Sequence, residues 1–345
     1  MREKTIPANA EQGGAVLLWG QFRSVCCRAR QPSSSNCLAM WFSKLRQRAL
    51  FAAVAVVAAC ANSTRGCSSQ KSEGSSQGPF PRQTVAGSEI RVLPRSANGR
   101  SYQIYVGLPD SYEEDLARRY PVLYLCDGYW DFGLVKALSG NLILDQAIPE
   151  VIIVGLGYAG DRPDFGRLRR WDLTPAPAKY PGAGFDGPSG HAQEFLSVIE
   201  KEIIPLVERE YRGDPSYRVL AGSSLGGLFT LYAMFARPGL FVAYVAPSPV
   251  AEWADDWLLG FEEEFHRSGQ PLGARLLVTY AERDPDMIRD GIKRFDARLR
   301  ARAYPGIAYE FRVVEGEGHS GTKAESYNRG VRFAFSPRAP ETSNP

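Results

Sequence analysis

Residues 222–227 read Gly-Ser-Ser-Leu-Gly-Gly, which holds the spacing G-x-S-x-G with Ser224 at its centre. That spacing suits a serine held on a sharp strand-to-helix turn, where flanking glycines allow close backbone approach and the hydroxyl is thrust out at the sheet edge. Ser223 would need glycines at 221 and 225, which are Ala and Leu. A serine hydroxyl is a weak nucleophile until a base takes its proton, and the base needs a third group to fix its tautomer. Of the three histidines, His191 falls at the entry of a long helix pattern and His266 near a helix end. His319 stands in Glu315-Gly316-Glu317-Gly318-His319-Ser320-Gly321, after the last strand candidate, and is the base expected to serve Ser224. The order serine, acid, histidine points to Ala281-Glu282-Arg283-Asp284-Pro285-Asp286 for the third group. Asp284 is the leading choice and Glu282 the alternative, and a Ser–His pair without a firm third partner is also open. The chemistry implied is acyl transfer, whose oxyanion needs preorganised N–H donors. Leu225 supplies one, and Gly128 or Tyr129, in Asp127-Gly128-Tyr129-Trp130, the other.

Other chemistries find less support. Gly155-Leu156-Gly157-Tyr158-Ala159-Gly160 matches the dinucleotide fingerprint, but Asp161-Arg162-Pro163-Asp164 breaks the helix that should hold a pyrophosphate. No cofactor is expected. The chain has no C-x-x-C and no H-E-x-x-H, so no metal site is expected either. Five of the six cysteines precede residue 70, which argues against a disulfide framework. With 41 basic and 38 acidic residues the charge is nearly balanced, and nucleic acid is not an expected partner.

These residues must be positioned by strands and helices. Strands are expected at Glu89–Val92, Tyr102–Leu108, Val122–Cys126, Val151–Leu156, Tyr217–Ala221, Val242–Ala246, Leu276–Tyr280 and Ala308–Val314, several of them near-continuous apolar runs. Helix periodicity appears at Phe132–Asp145, Ala192–Tyr211, Leu225–Phe235, Ile288–Arg302 and near Tyr327–Phe335. The alternation predicts a doubly wound α/β fold with a mostly parallel central sheet of about eight strands and helices on both faces. The folded domain is expected over 84–337. Before it, the apolar run Ala49–Ala59 follows Lys44, Arg46 and Arg48 and ends in Val57-Ala58-Ala59-Cys60, the pattern of a bacterial lipobox with Cys60 acylated. Residues 40–60 are thus read as a signal peptide starting at Met40, 1–39 as an extension upstream of that start, 61–83 as a flexible tether and 338–345 as a disordered tail. The expected location is a membrane-anchored lipoprotein facing the periplasm.

Val122-Leu123-Tyr124-Leu125-Cys126-Asp127-Gly128, Arg169-Arg170-Trp171-Asp172-Leu173-Thr174-Pro175, Gly222–Phe235 with Pro238, and Gly318-His319-Ser320 together resemble the esterase D-like, or putative esterase, family of α/β hydrolases across about residues 88–336. The resemblance implies an α/β-hydrolase fold and a serine esterase working through an acyl-enzyme on a small-molecule ester. Asp127-Gly128 with Asp172-Leu173-Thr174-Pro175 looks most like the ferric siderophore esterases, while Ala246-Pro247-Ser248-Pro249-Val250-Ala251-Glu252-Trp253 departs from that group's aromatic-rich segment. An acyltransferase, a carbohydrate or feruloyl esterase, and an idle binding module on the same fold are the alternatives. The segment between Gly157 and Gly190 is longer than a usual βα connection and is expected as a binding loop. Its arginines and aromatics suit a planar anionic aromatic ligand, with Arg170 the leading contact and Arg169, Trp130 and Trp171 beside it.

Overall fold

Eight strands hydrogen-bond into one sheet: β1 (Ser88–Val92), β2 (Tyr102–Gly107), β3 (Tyr120–Leu125), β4 (Ile152–Tyr158), β5 (Gly213–Ala221), β6 (Ala243–Pro247), β7 (Arg275–Ala281) and β8 (Ala308–Val314). The computed structural model describes residues 84–178 and 187–336, so the proposed extension, signal, Cys60, tether and tail lie outside the described residues. The strand order is β1-β2-β4-β3-β5-β6-β7-β8; β2 runs antiparallel to both β1 and β4, and every other pairing is parallel. The parallel strands β4 and β7 are buried along their whole length, which is why they read as unbroken apolar runs.

The period-two alternation sorts the core into two layers. Val122, Tyr124, Cys126 and Leu220 pack on one face with Phe195, Phe229, Phe265 and Phe295, while Leu123, Leu125, Val219 and Ala221 pack on the other with Phe132, Val135, Tyr327 and Val331. The second layer is closed by helices α1 (Gly128–Leu144) and α8 (Lys323–Phe335). The first is closed by α3 (Ala192–Val198), α4 (Ile204–Glu210), α5 (Leu225–Ala236), α6 (Trp253–Arg267) and α7 (Asp286–Arg302). This is the doubly wound arrangement expected from the alternating pattern.

Two segments differ from the sequence reading, and a third, at the start of α6, has an irregular backbone. The stretch 157–190 is more than a loop, because it carries α2 (Phe165–Leu173), capped by Asp164, whose carboxylate accepts from Arg167 N at 3.0 Å. That cap fills the helix N-terminus a pyrophosphate would need, and Gly155 and Gly157 lie inside β4 rather than in a turn after it. Ala192–Tyr211 is not one helix: a π-helical turn, Ile199–Ile203, separates α3 from α4, with Ile204 N donating to Ile199 O. Pro205 has no N–H to continue the ladder there. At the start of α6, Ala254, Asp255 and Asp256 take left-handed φ values of 54, 57 and 61° before the regular helix begins.

Candidate active site

Ser224 joins the end of β5 to the start of α5, with φ 61° and ψ −119°. The strained turn closes because glycines stand two residues before and after Ser224, at 222 and 226. A Cβ at Gly222 would stand 2.6 Å from Gly226 O and 2.8 Å from Cys126 Cβ, and one at Gly227 would stand 2.9 Å from Pro249. Ser224 N donates to Pro247 O at 3.0 Å, which ties the turn to the end of β6. The hydroxyl is therefore fixed at the C-terminal edge of the parallel strands.

His319 reaches that hydroxyl from the loop between β8 and α8. Its Nε2 lies 3.0 Å from Ser224 Oγ, and its Nδ1 lies 2.5 Å from Asp284 Oδ1. Asp284, 3% exposed after β7, accepts two further bonds on Oδ2, from Ser248 Oγ at 2.7 Å and from Ala281 N at 2.8 Å. Burial works to raise the Asp284 carboxyl, but the bonds from His319, Ser248 and Ala281 outweigh it and hold the group below the usual carboxylate range. The carboxylate can thus stay charged beside the imidazole and orient it. Glu282 points elsewhere, accepting from Gly316 N at 2.7 Å.

The backbone N–H groups expected to receive an oxyanion lie at two helix starts. Leu225 is the first residue of α5, and Gly128 and Tyr129 open α1, where Trp130 N and Asp131 N already donate to Asp127 O. N–H groups in a first turn have no partner within their own helix. Cys126 N donates to Ala221 O, so the ends of β3 and β5 lie side by side and bring the two helix starts together. Gly128 is required by contact as well, since a Cβ there would stand 2.6 Å from Gly155 C.

Ser224 and His319 open into a cavity of about 630 Å³, also lined by Trp130, Asp131, Leu134, Arg169, Ser320, Gly321, Lys323 and Ala324. Arg169 donates to both oxygens of Asp127, at 2.8 and 2.7 Å, and its guanidinium lies 5.4 Å from the Trp130 ring centroid. Burial alone would lower the Arg169 guanidinium, but Asp127 more than offsets this and keeps it charged. Tyr129 stacks on Phe165 with centroids 3.9 Å apart, and Trp130 lies beside both. Tyr129 and Trp130 are nevertheless about half exposed, at 54% and 50%.

The other expected contacts are arranged differently. Arg170 is turned inward, 5% exposed, with its guanidinium against Gly187, and it does not line the cavity. Successive helix residues point about 100° apart, so Arg169 and Arg170 leave α2 in different directions. Trp171 also lies off the cavity lining, stacked on His191 at 4.0 Å under the Arg100 guanidinium. His191 caps α3 and His266 packs on Tyr304, so neither approaches Ser224. Sequence reasoning passed over Ser248, Asp131 and Lys323. Ser248 carried one usable signal: it directly follows β6, the strand next to β7 and so next to the expected acid.

Residues 96–285 match the family model described as "Putative esterase". The chain belongs to that family. It is 30% identical over 273 residues to the ferri-bacillibactin esterase of Bacillus subtilis, a match covering 75% of this chain and 93% of that protein. It is 28% identical over 270 residues to the siderophore triacetylfusarinine C esterase of Aspergillus fumigatus, covering 69% and 89% respectively. Among solved structures, an IroE-like serine hydrolase from Shewanella oneidensis superposes with a TM-score of 0.64 at 26% identity, over 72% of this chain and 80% of that one. As a member of this esterase family, with an eight-stranded α/β-hydrolase sheet, the protein is a carboxylic ester hydrolase.

Proposed function

We propose that this esterase opens siderophore esters, a ferric catecholate ester foremost, through an acyl-enzyme on Ser224. The observation that carries the reading is the line of contacts from Ser224 Oγ through His319 to Asp284, at 3.0 and 2.5 Å. In the first half-reaction His319 Nε2 takes the Ser224 proton as Oγ bonds to the ester carbonyl carbon. Leu225 N–H and Gly128 or Tyr129 N–H receive the oxyanion. The intermediate collapses as the carbon–oxygen bond to the leaving alcohol breaks, and His319 returns its proton to that alcohol. Water then attacks the acyl-enzyme by the same route, giving the acid and restoring Ser224. Asp284 keeps Nδ1 protonated and stabilises the transient imidazolium.

The substrate class is supported by the names of the relatives and by the wall of the cavity, where Trp130 sits beside the charged Arg169 and packs against Tyr129 and Phe165. Aromatic faces and a guanidinium suit a planar, anionic aromatic ligand. The test is hydrolysis of a panel holding a ferric tris-catecholate trilactone, feruloyl esters and simple aryl esters. A higher kcat/KM on the trilactone than on the others is expected, and no turnover of it by the wild-type enzyme would remove the siderophore reading. Acylation of Cys60, and with it membrane attachment at the periplasmic side, is part of the same proposal, motivated by the run that ends at Val57-Ala58-Ala59-Cys60. Intact-mass analysis of protein from its native host should show a lipid on an N-terminal Cys60; a mature chain starting elsewhere without lipid mass would reject it.

A further inference from the structure

The cavity beside Ser224 has a second cation besides Arg169. Lys323, the first residue of α8 and four positions beyond His319, lines it. Its ammonium donates to Asp131 Oδ1 at 2.8 Å, and Tyr327 OH donates to the other oxygen of the same carboxylate at 2.8 Å. The pair is oriented: the Asp131 side chain is 3% exposed and that of Lys323 is 23% exposed. Asp127 and Arg169 repeat the arrangement, with side-chain exposures of 4% and 14%. In both pairs the carboxylate is the more buried partner and the cation, which lines the cavity, the more exposed one. Field lines from the two pairs do not cancel at the cavity surface, because the positive ends are nearer to it.

The donors of Lys323 are also incompletely used. An ammonium has three N–H groups, and among the described residues Asp131 is the one hydrogen-bond partner of Lys323. Asp131 is held on both sides, since one oxygen accepts from Lys323 and the other from Tyr327. Burial and Asp131 together push the Tyr327 phenol well above its ordinary range, so it stays a donor and helps to hold the carboxylate in place. The result is a cation held by Asp131, with donors to spare, in the lining of the cavity that also holds the nucleophile.

From this geometry we infer that Lys323 is a specificity-determining contact that takes a negatively charged group of the ester substrate while the ester itself lies at Ser224. The inference rests on the proposed esterase chemistry at Ser224 and His319, but not on the identity of the ester. A ferric catecholate, a carboxylate or a sulfonate would each satisfy it, because an ammonium recognises charge as a compact point rather than a planar fork.

The test compares phenyl acetate with 4-sulfophenyl acetate, which share the acyl group and ring and differ by one sulfonate. For the full-length enzyme and for Lys323→Gln, kcat and KM are measured on both. The expected result is that KM for the sulfonated ester rises about five- to tenfold more than KM for phenyl acetate, the scale of one charge-assisted contact partly exposed to water. Lys323→Arg should recover most of the difference, and added salt should erode the wild-type discrimination. A residue that merely held α8 against α1 would lower turnover of both esters alike, so equal losses overturn the inference, as does an unchanged ratio. The ferric trilactone is run separately: if it is not hydrolysed while the sulfonated pair responds as expected, the siderophore reading fails and the Lys323 contact stands.

Discussion

Ser248 Oγ donates to Asp284 Oδ2 at 2.7 Å, which leaves Oδ1 to face His319 Nδ1. Ser248 is fully buried and sits at φ 41°, a left-handed conformation that a non-glycine residue adopts at some cost. The hydroxyl and the strain can be separated. Ser248→Gly suits the backbone but deletes the donor, whereas Ser248→Ala keeps the strain and deletes the donor. Both variants should lose kcat by about tenfold with little change in KM, since a bond to a charged group that only orients the base acts on the transition state. Wild-type kcat in Ser248→Gly would show that the hydroxyl does not position Asp284.

The proposed nucleophile is Ser224, whose Oγ lies 3.0 Å from His319 Nε2, while Ser223 is buried at 1% exposure. Ser224→Ala should abolish labelling by a fluorophosphonate and lower kcat by about 10⁴-fold or more. Ser223→Ala should keep the label. His319→Ala should match the loss in Ser224→Ala, while His191→Ala and His266→Ala should retain turnover. Labelling of Ser224→Ala at the wild-type level would move the nucleophile elsewhere.

The elements most legible in sequence were those with one dominant period. β4 and β7 are buried on both faces and so read as unbroken apolar runs, and the G-x-S-x-G spacing located the turn after β5 before any contact was known. α2 was hidden because Pro163 and Asp164 look like a break, yet they mark its entry, with Asp164 as the cap. Reading that stretch as a loop removed the only basis for choosing between Arg169 and Arg170, whose directions are set by the helix. Ser248 and Lys323 depend on adjacency between distant segments, β6 with β7 and α8 with α1, which one-dimensional spacing does not encode.

Asp172 gives a pH signature in stability. It is buried in a network with Tyr102 OH at 3.0 Å and Arg100 at 3.3 Å. Burial raises its carboxyl to about 6 despite the opposing effects of Arg100, Tyr102, Tyr158 and His191. The unfolded chain's carboxyl titrates near about 4. Between these values the folded state holds a proton that the unfolded state has released, so stability falls as pH rises through that window and is constant from this source above it. Asp172→Asn removes the titration. Its Tm relative to wild type should therefore climb between about pH 4 and 6.5, by the equivalent of roughly 2–3 kcal/mol at most. A Tm difference flat across that range would contradict the raised carboxyl.

Gly128 tests whether the start of α1 is held by contact alone. A Cβ there would stand 2.6 Å from Gly155 C, 2.7 Å from Gly155 Cα and 2.9 Å from Leu156 N, all backbone atoms of a central strand that no rotamer change can move. Gly128→Ala must therefore displace α1 or β4, at about 2–4 kcal/mol of stability. The displaced helix start carries the Gly128 and Tyr129 N–H groups, so kcat should fall further than KM rises. Gly140→Ala is the matched control, because it lies in the same helix with open space around it and should gain about 0.5–1 kcal/mol from helix propensity. If Gly128→Ala melted and turned over like wild type while Gly140→Ala showed its gain, the close approach of α1 to β4 would have no part in building the oxyanion site.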